Sequence, residues 1–168
     1  EVARRDASNA HTGQPRRGAK GVTGGEVEPS GGRQIFHPGG KLGAQMTKVG
    51  DVMHNMDHFP AVKDDAPMQE TLLEMTSKGF GIAVVVKNNT VIGVITDGDL
   101  RRHMENLFEK STGEIASNDP ITVTKDTFAA DALRIMNEHK IGVLIVADSK
   151  GKPEGIIHLH DLLRSGAA

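Results

Sequence analysis

The stretch "GVITDGDLRR", Gly93 to Arg102, gathers side chains able to hold a phosphate and a sugar. Thr96 offers a hydroxyl at a point where an apolar, strand-like run gives way to a helix-like one. The first turn of such a helix has free backbone N–H groups and a positive dipole end, which suit an anion. Asp99 can accept two hydrogen bonds from a ribose diol. Gly93 lets the backbone of a neighbour approach closely. The same residues also read as ordinary capping, with Thr96 or Asp97 as N-cap at about 1 kcal/mol and Asp99 favouring the dipole. Both readings stand on the residues alone. A related stretch, "GIIHLHDLLR", puts His158 where Thr96 stands and Asp161 where Asp99 stands. A neutral imidazole still donates one hydrogen bond, and a protonated one pairs with phosphate. His158, His160 and Asp161 are too few and too awkwardly spaced for a metal site, so no metal is expected.

These turns need elements to hold them. "APMQETLLEMTSKG", Ala66 to Gly79, spaces Met68, Leu72 and Met75 along one helical face, and Lys78 and Gly79 are stop signals. "GIAVVVKNNTVIGVITD" gives two apolar runs around Asn88-Asn89, residues that tolerate positive φ in a tight hairpin. "DGDLRRHMENLF" predicts one continuous helix with Leu100, Met104 and Leu107 on its buried side. The order then recurs: helix over Thr127 to Lys140, hairpin around "DSKGK", and a closing helix opened by "HDLLRSG". Val62, Asp65, Leu72, Met75, Gly81 and Val85 align with Val123, Asp126, Leu133, Met136, Gly142 and Val146. Two such copies form an internal repeat, each too small for a comfortable core alone. They are expected to bury their sheets against each other about a pseudo-twofold axis, leaving a cleft.

Composition narrows the function. The 168 residues carry a formal charge of −2, which gives no global pull towards nucleic acid or an anionic membrane. Without Trp or Tyr, stacking platforms for bases are hard to build. Without cysteine, disulfides and thiolate metal sites are excluded, which suits a reducing cytoplasm. No apolar run reaches the roughly 18 residues of a membrane span. Residues 1–36 are rich in Gly, Pro, Ser and Arg and show no apolar periodicity, so disorder is expected there.

"GDVM" near the start of the repeats, "LLEM" and "LRIM" on the first helices, and "GVITDGDL" at the turn resemble CBS domains. The order resembles a tandem CBS pair, also called a Bateman module. That resemblance implies a mixed α/β (α+β) fold of two β-α-β-β-α repeats, divided as 49–110 and 111–168. It implies a nucleotide ligand held by Gly93, Thr96 and Asp99, with His158 and Asp161 as the altered second turn. It also implies that Gly81, Ile82 and Ala83 line the cleft, with Val143 opposite, and that a homodimer forms through the pair.

"HPGGKLG", His37 to Gly43, is similar to the end of a sugar-isomerase (SIS) domain. With the CBS pair it resembles the D-arabinose 5-phosphate isomerase (KpsF/GutQ) family, which serves the synthesis of the envelope sugar acid Kdo. The resemblance gives His37 an active-site ancestry and makes 37–48 a remnant or linker. Residues 1–36 offer no parallel sheet and no Ser/Thr-rich phosphate loop, so they are expected to be a disordered or non-native tail. Three functions compete: a regulatory module for an adenine or cytidine nucleotide or nucleotide-sugar, a residual isomerase using His37, and a purely dimerising module. None requires a cofactor.

Overall fold

The computed structural model describes residues 46–167. His37, the "HPGGKLG" segment and the tail over 1–36 lie outside the described residues. The first repeat runs through α1 (Val49–Val52), a 3-10 turn (Met56–His58), β1 (Ala61–Lys63), α2 (Met68–Lys78), β2 (Ile82–Lys87), β3 (Thr90–Thr96) and α3 (Asp97–Arg102). A 3-10 segment (Met104–Glu109) leads to α4 (Thr112–Ile115) and β4 (Ser117–Asn118). The second repeat continues with β5 (Thr122–Val123), α5 (Ala129–His139), β6 (Val143–Ala147), β7 (Pro153–His158) and α6 (Leu159–Arg164).

Local chemistry explains most boundaries. Asn88 and Asn89 have φ of 51° and 60°, the paired positive values of a tight hairpin turn. Gly79 ends α2 in the left-handed region at φ 72°, and Lys140 takes the same conformation after α5 at φ 55°. The long helix expected over "DGDLRRHMENLF" is corrected. It stops at Arg102, and Asn106, with φ −132°, breaks the helical path that follows. The 3-10 segment keeps Leu100 and Leu107 against the first core but turns Met104 outward to 68% exposure. A straight helix would have carried the chain away from α2, whereas this bend returns it to place Thr112 beside Thr71, with the two hydroxyls 2.6 Å apart.

Two sheets result, ordered β1-β2-β3-β4 and β5-β6-β7. In each, the first strand pairs parallel with the second, and the second pairs antiparallel with the third. Each repeat has its own core. Val62, Met68, Met75, Val85 and Ile95 fill the first, and Ala132, Met136, Leu144, Ile157 and Leu162 fill the second. A third cluster of Phe59, Val84, Ile145 and Ile156 lies where the two sheets face each other. Burying each such apolar side chain contributes about 1.5–3 kcal/mol, so this seam helps to hold two small repeats together.

The repeats also exchange their leading arms. Val49 of α1 is packed in the second core, while Ile115 of α4 is packed in the first. Gly50 N–H donates to Lys125 O and Gly113 N–H donates to Asp64 O. These two glycines stand at equivalent places, 63 residues apart (113 − 50). A Cβ on Gly113 would lie 2.9 Å from Asp64 O, and one on Gly50 would lie 3.1 Å from Lys125 O, so close backbone approach fixes both as glycine. His54 bridges to Ile156 of β7 just as Ser117 pairs with Val94 of β3.

Candidate functional site

A cleft of about 580 Å³ opens between the repeats. The first strand–helix turn contributes Thr96, Asp97 and Gly98 to it, and the start of β2 contributes Gly81 and Ile82. The second repeat supplies Lys140, Val143 and His158, together with its lead-in from Ser117 to Ile121. The volume falls in the range of small-molecule sites. Ile82 and Val143, equivalent residues of the two repeats, give it apolar walls. Gly81 takes φ 72° at the edge, a conformation that side chains other than Gly rarely adopt.

The expected site residues separate into two groups. Thr96, Gly81, Ile82 and His158 line the cleft. Ala83 does not, since strand alternation turns it into the first core, where it is fully buried. Gly93 is buried under β4. A Cβ there would meet Ser117 O at 3.0 Å and Ala116 Cβ at 3.1 Å, so the neighbour that needs its missing side chain is a strand. Asp99 and Asp161 lie behind the cleft wall, each at the centre of a hydrogen-bond network.

Around Asp99, Oδ2 accepts from Thr96 N–H at 2.8 Å and from the Thr96 hydroxyl at 2.6 Å. Oδ1 accepts from the Ser117 hydroxyl at 2.9 Å and from Arg102 Nη2 at 2.5 Å. The Asp99 side chain is 3% exposed. This is a reciprocal capping box for α3, reinforced from β4. Burial pushes the Asp99 carboxyl up, but the hydrogen bonds from Thr96, Ser117 and Arg102 outweigh it and hold the group below the usual carboxylate value.

Asp161 repeats the design with different partners. Oδ2 accepts from His158 N–H at 3.3 Å and meets His54 Nε2 at 2.9 Å, and Arg164 binds Oδ1. Burial again raises this carboxyl, and Arg164, His54 and His158 N–H bring it below the ordinary value. Thus Thr96, Asp99, Arg102 and Ser117 correspond to His158, Asp161, Arg164 and His54. His158 Nδ1 accepts from His160 N–H at 3.1 Å, which leaves Nε2 to carry the proton of the neutral ring. Burial lowers the His158 pKa first, and the charge of His160 lowers it further against the pull of Asp161. The His158 and His160 rings stack with centroids 4.8 Å apart. Among the described residues no group of three His, Asp or Glu side chains could hold a metal ion.

Reading the sequence missed His54 and Ser117. The sequence did hold a signal. "VGDVMH" and "TGEIAS", Val49–His54 and Thr112–Ser117, align residue by residue and put His54 opposite Ser117. Asp97 and Asp119 were missed as cleft residues for a different reason, since turn residues of mixed polarity carry no periodic pattern. Among the described residues no helix is long and apolar enough to cross a membrane.

The CBS domain profile matches residues 49–106 and 113–168. Arabinose 5-phosphate isomerase KdsD of Pseudomonas aeruginosa is 39% identical over 135 residues, covering 77% of this chain and 41% of that protein. The KdsD of Escherichia coli K12 is 38% identical over 137 residues, covering 79% and 42%. The chain therefore spans about two fifths of the length of these relatives. Among solved structures, CBSX2 in complex with AMP superposes with a TM-score of 0.62 at 27% identity, covering 71% of this chain and 95% of that one. A CBS domain-containing protein of Bacillus anthracis shares the fold at a TM-score of 0.66 and 19% identity, covering 74% and 96%.

Proposed function

The chain belongs to the CBS-domain family, and from that premise we propose that its cleft is a regulatory site for an adenine or cytidine nucleotide or a nucleotide-sugar. The observation that carries the reading is the cleft itself. Apolar walls from Ile82 and Val143 suit the faces of a base, and Thr96, Asp97 and His158 add polar groups to the same lining. CBSX2, similar over most of this chain, is a structure in complex with AMP. The likeness to arabinose 5-phosphate isomerases supports a place in a cytoplasmic sugar-phosphate isomerase serving Kdo synthesis, with the pair reporting nucleotide or end-product level. The proposal needs no other cofactor.

Ligand contacts on the first turn have a cost that the geometry defines. The Thr96 hydroxyl proton and both Asp99 oxygens are already engaged. A ribose diol on Asp99 displaces Ser117 or Arg102, whereas Asp97 and Gly98 are open to the cleft. Thermal melting of the full chain with AMP, ATP, CMP and CMP-Kdo tests the reading, because a ligand of the native state raises the midpoint by mass action. The absence of any shift at millimolar ligand would refute it. A dimerising role has its own support in Leu73, Met104 and Phe108, which are 71%, 68% and 61% exposed. A homodimer burying them is compatible with ligand binding. Sedimentation of the full chain and of a Leu73→Glu variant separates the two roles.

A further inference from the structure

We infer that the cleft selects a ligand bearing one phosphate group over the corresponding di- and triphosphates. The inference rests on the nucleotide reading of the cleft and refines it. Among the described residues three side chains with full charges line the cleft: the carboxylates of Asp97 and Asp119 and the ammonium of Lys140. No basic side chain among the described residues pairs with either carboxylate. Lys140 likewise has no carboxylate partner among them. The guanidinium of Arg102 comes close to the lining, with Nη1 3.3 Å from where a Cβ of Gly98 would stand. It is pinned to Asp99, and the pair cancels in charge. His158 adds no cation near neutral pH, since burial and His160 favour its neutral ring.

The fixed charge of the lining is therefore one negative unit. One ammonium matches one phosphate. A second and third phosphate bring further negative charge into a space that already holds two unpaired carboxylates, and the described residues of the lining offer no second unpaired cation to receive them. A close pair of unit charges exposed to water interacts by about 1 kcal/mol, or roughly five-fold in affinity. Each added phosphate is thus worth about a five-fold loss. Both carboxylates are water-exposed, so the penalty is screened as salt rises from a Debye length of about 10 Å at 0.1 M towards about 3 Å at 1 M. Neutral donors such as the Asn118 amide and His158 Nε2 also line the cleft, but they bring no charge to offset that of an added phosphate.

The test is isothermal titration of the full chain with AMP, ADP and ATP, and with CMP, CDP and CTP. EDTA is present so that magnesium does not neutralise the phosphates. The expected order is monophosphate tightest, with about a five-fold loss per phosphate at 0.1 M salt and a smaller gap at 0.5 M. The Asp97→Asn/Asp119→Asn double variant is expected to tighten the triphosphate by five-fold or more and narrow the gap. A triphosphate that binds as tightly as the monophosphate would overturn the inference while leaving the nucleotide reading intact. So would a gap that neither salt nor the double variant changes. Failure of both series and of CMP-Kdo to bind at all would overturn the nucleotide reading itself, and this inference with it.

Discussion

Replacing Asp99 with asparagine is expected to be a stability change before it is a binding change. The carboxylate receives four hydrogen bonds, from Thr96 N–H, the Thr96 hydroxyl, the Ser117 hydroxyl and Arg102. An amide keeps one acceptor oxygen and sets an NH2 group against donors on the other side. If the oxygen stays with Thr96, the cap of α3 survives, but Ser117 and Arg102 lose their acceptor. Arg102 is exposed and can turn to water, so its loss is small. Ser117 is exposed too, so the larger cost is the donor clash at the buried Asp99 side chain, where an unmet polar group costs about 1–3 kcal/mol. If the oxygen turns the other way, the cap fails instead, at about 1 kcal/mol or more. Either route gives a loss of about 1–3 kcal/mol. Urea unfolding of the full chain, with linear extrapolation, measures it directly. Ser117→Ala leaves Asp99 three partners, and its cost is expected to be about 1 kcal/mol. A loss below about 0.5 kcal/mol for Asp99→Asn would refute the claim that the carboxylate is structurally committed. Asp99→Ala is accordingly a poor probe of ligand contact, and Asp97→Asn is the cleaner one.

Acid should weaken the fold through both networks. Asp99 and Asp161 have carboxyls held below their ordinary value, so the stability they contribute is complete above the usual carboxylate pKa of about 3.9 and is lost as pH falls through their lowered values. Urea midpoints measured from pH 5 downward should fall less steeply in Asp161→Asn. His158 titrates lower in the folded chain than in the unfolded one, so stability also declines as pH falls from about 6.5 towards that lowered value, and His158→Gln should flatten that slope. Gly93→Ala drives a Cβ to 3.0 Å from Ser117 O and should cost about 1–3 kcal/mol in urea unfolding while shifting β4. Thr112→Val leaves the buried Thr71 hydroxyl without its partner, while Ala66 O keeps the backbone N–H of residue 112; it should cost about 1–3 kcal/mol, whereas Thr71→Ala/Thr112→Val should cost less than the sum of the single changes. The second repeat supports that expectation, with Ala132 and Val49 at the equivalent places.

The repeat was legible because its apolar positions recur at an almost constant spacing. Met68 and Met75 fill the first core, and Met136 holds the equivalent place in the second. The hairpin at Asn88-Asn89 was legible from backbone chemistry alone. The exchanged arms were not. A four-residue helix such as Val49–Val52 has no period to detect, and its partner strand lies about a hundred residues away. The continuous helix after Thr96 failed for a related reason. Leu100, Met104 and Leu107 have helical spacing, yet tertiary packing overrides it and leaves Met104 in solvent. At the site, the glycine–threonine–aspartate spacing located the correct turn but not the job of each residue. Gly93 serves β4 and Asp99 serves α3, and of these three residues Thr96 alone reaches both the network and the cleft.

That double membership is where ligand and fold meet. Thr96 and Ser117 each line the cleft and each bind Asp99. Ser117 belongs to β4, the strand by which the second repeat's lead-in joins the first repeat's sheet. A ligand that takes the hydroxyl of Ser117 competes with the bond that ties β4 to α3. A ligand that leaves that bond alone and uses Asp97, Gly98 and Lys140 strengthens the closed arrangement without that cost. The two modes differ in sign at the same joint. On the opposite side, His54 carries the equivalent bond to Asp161, and it lies two residues beyond α1, which is packed into the second core. The segment over 48–54 is therefore fastened to the second repeat, by Lys48–Asp126, Gly50–Lys125 and His54–Asp161. Any change in how the repeats close on each other must move that segment relative to the first repeat. Regulation through this module needs a ligand whose affinity differs between the two states of closure. The structure offers one joint on each side where such a difference can arise: Ser117 with Asp99, and His54 with Asp161.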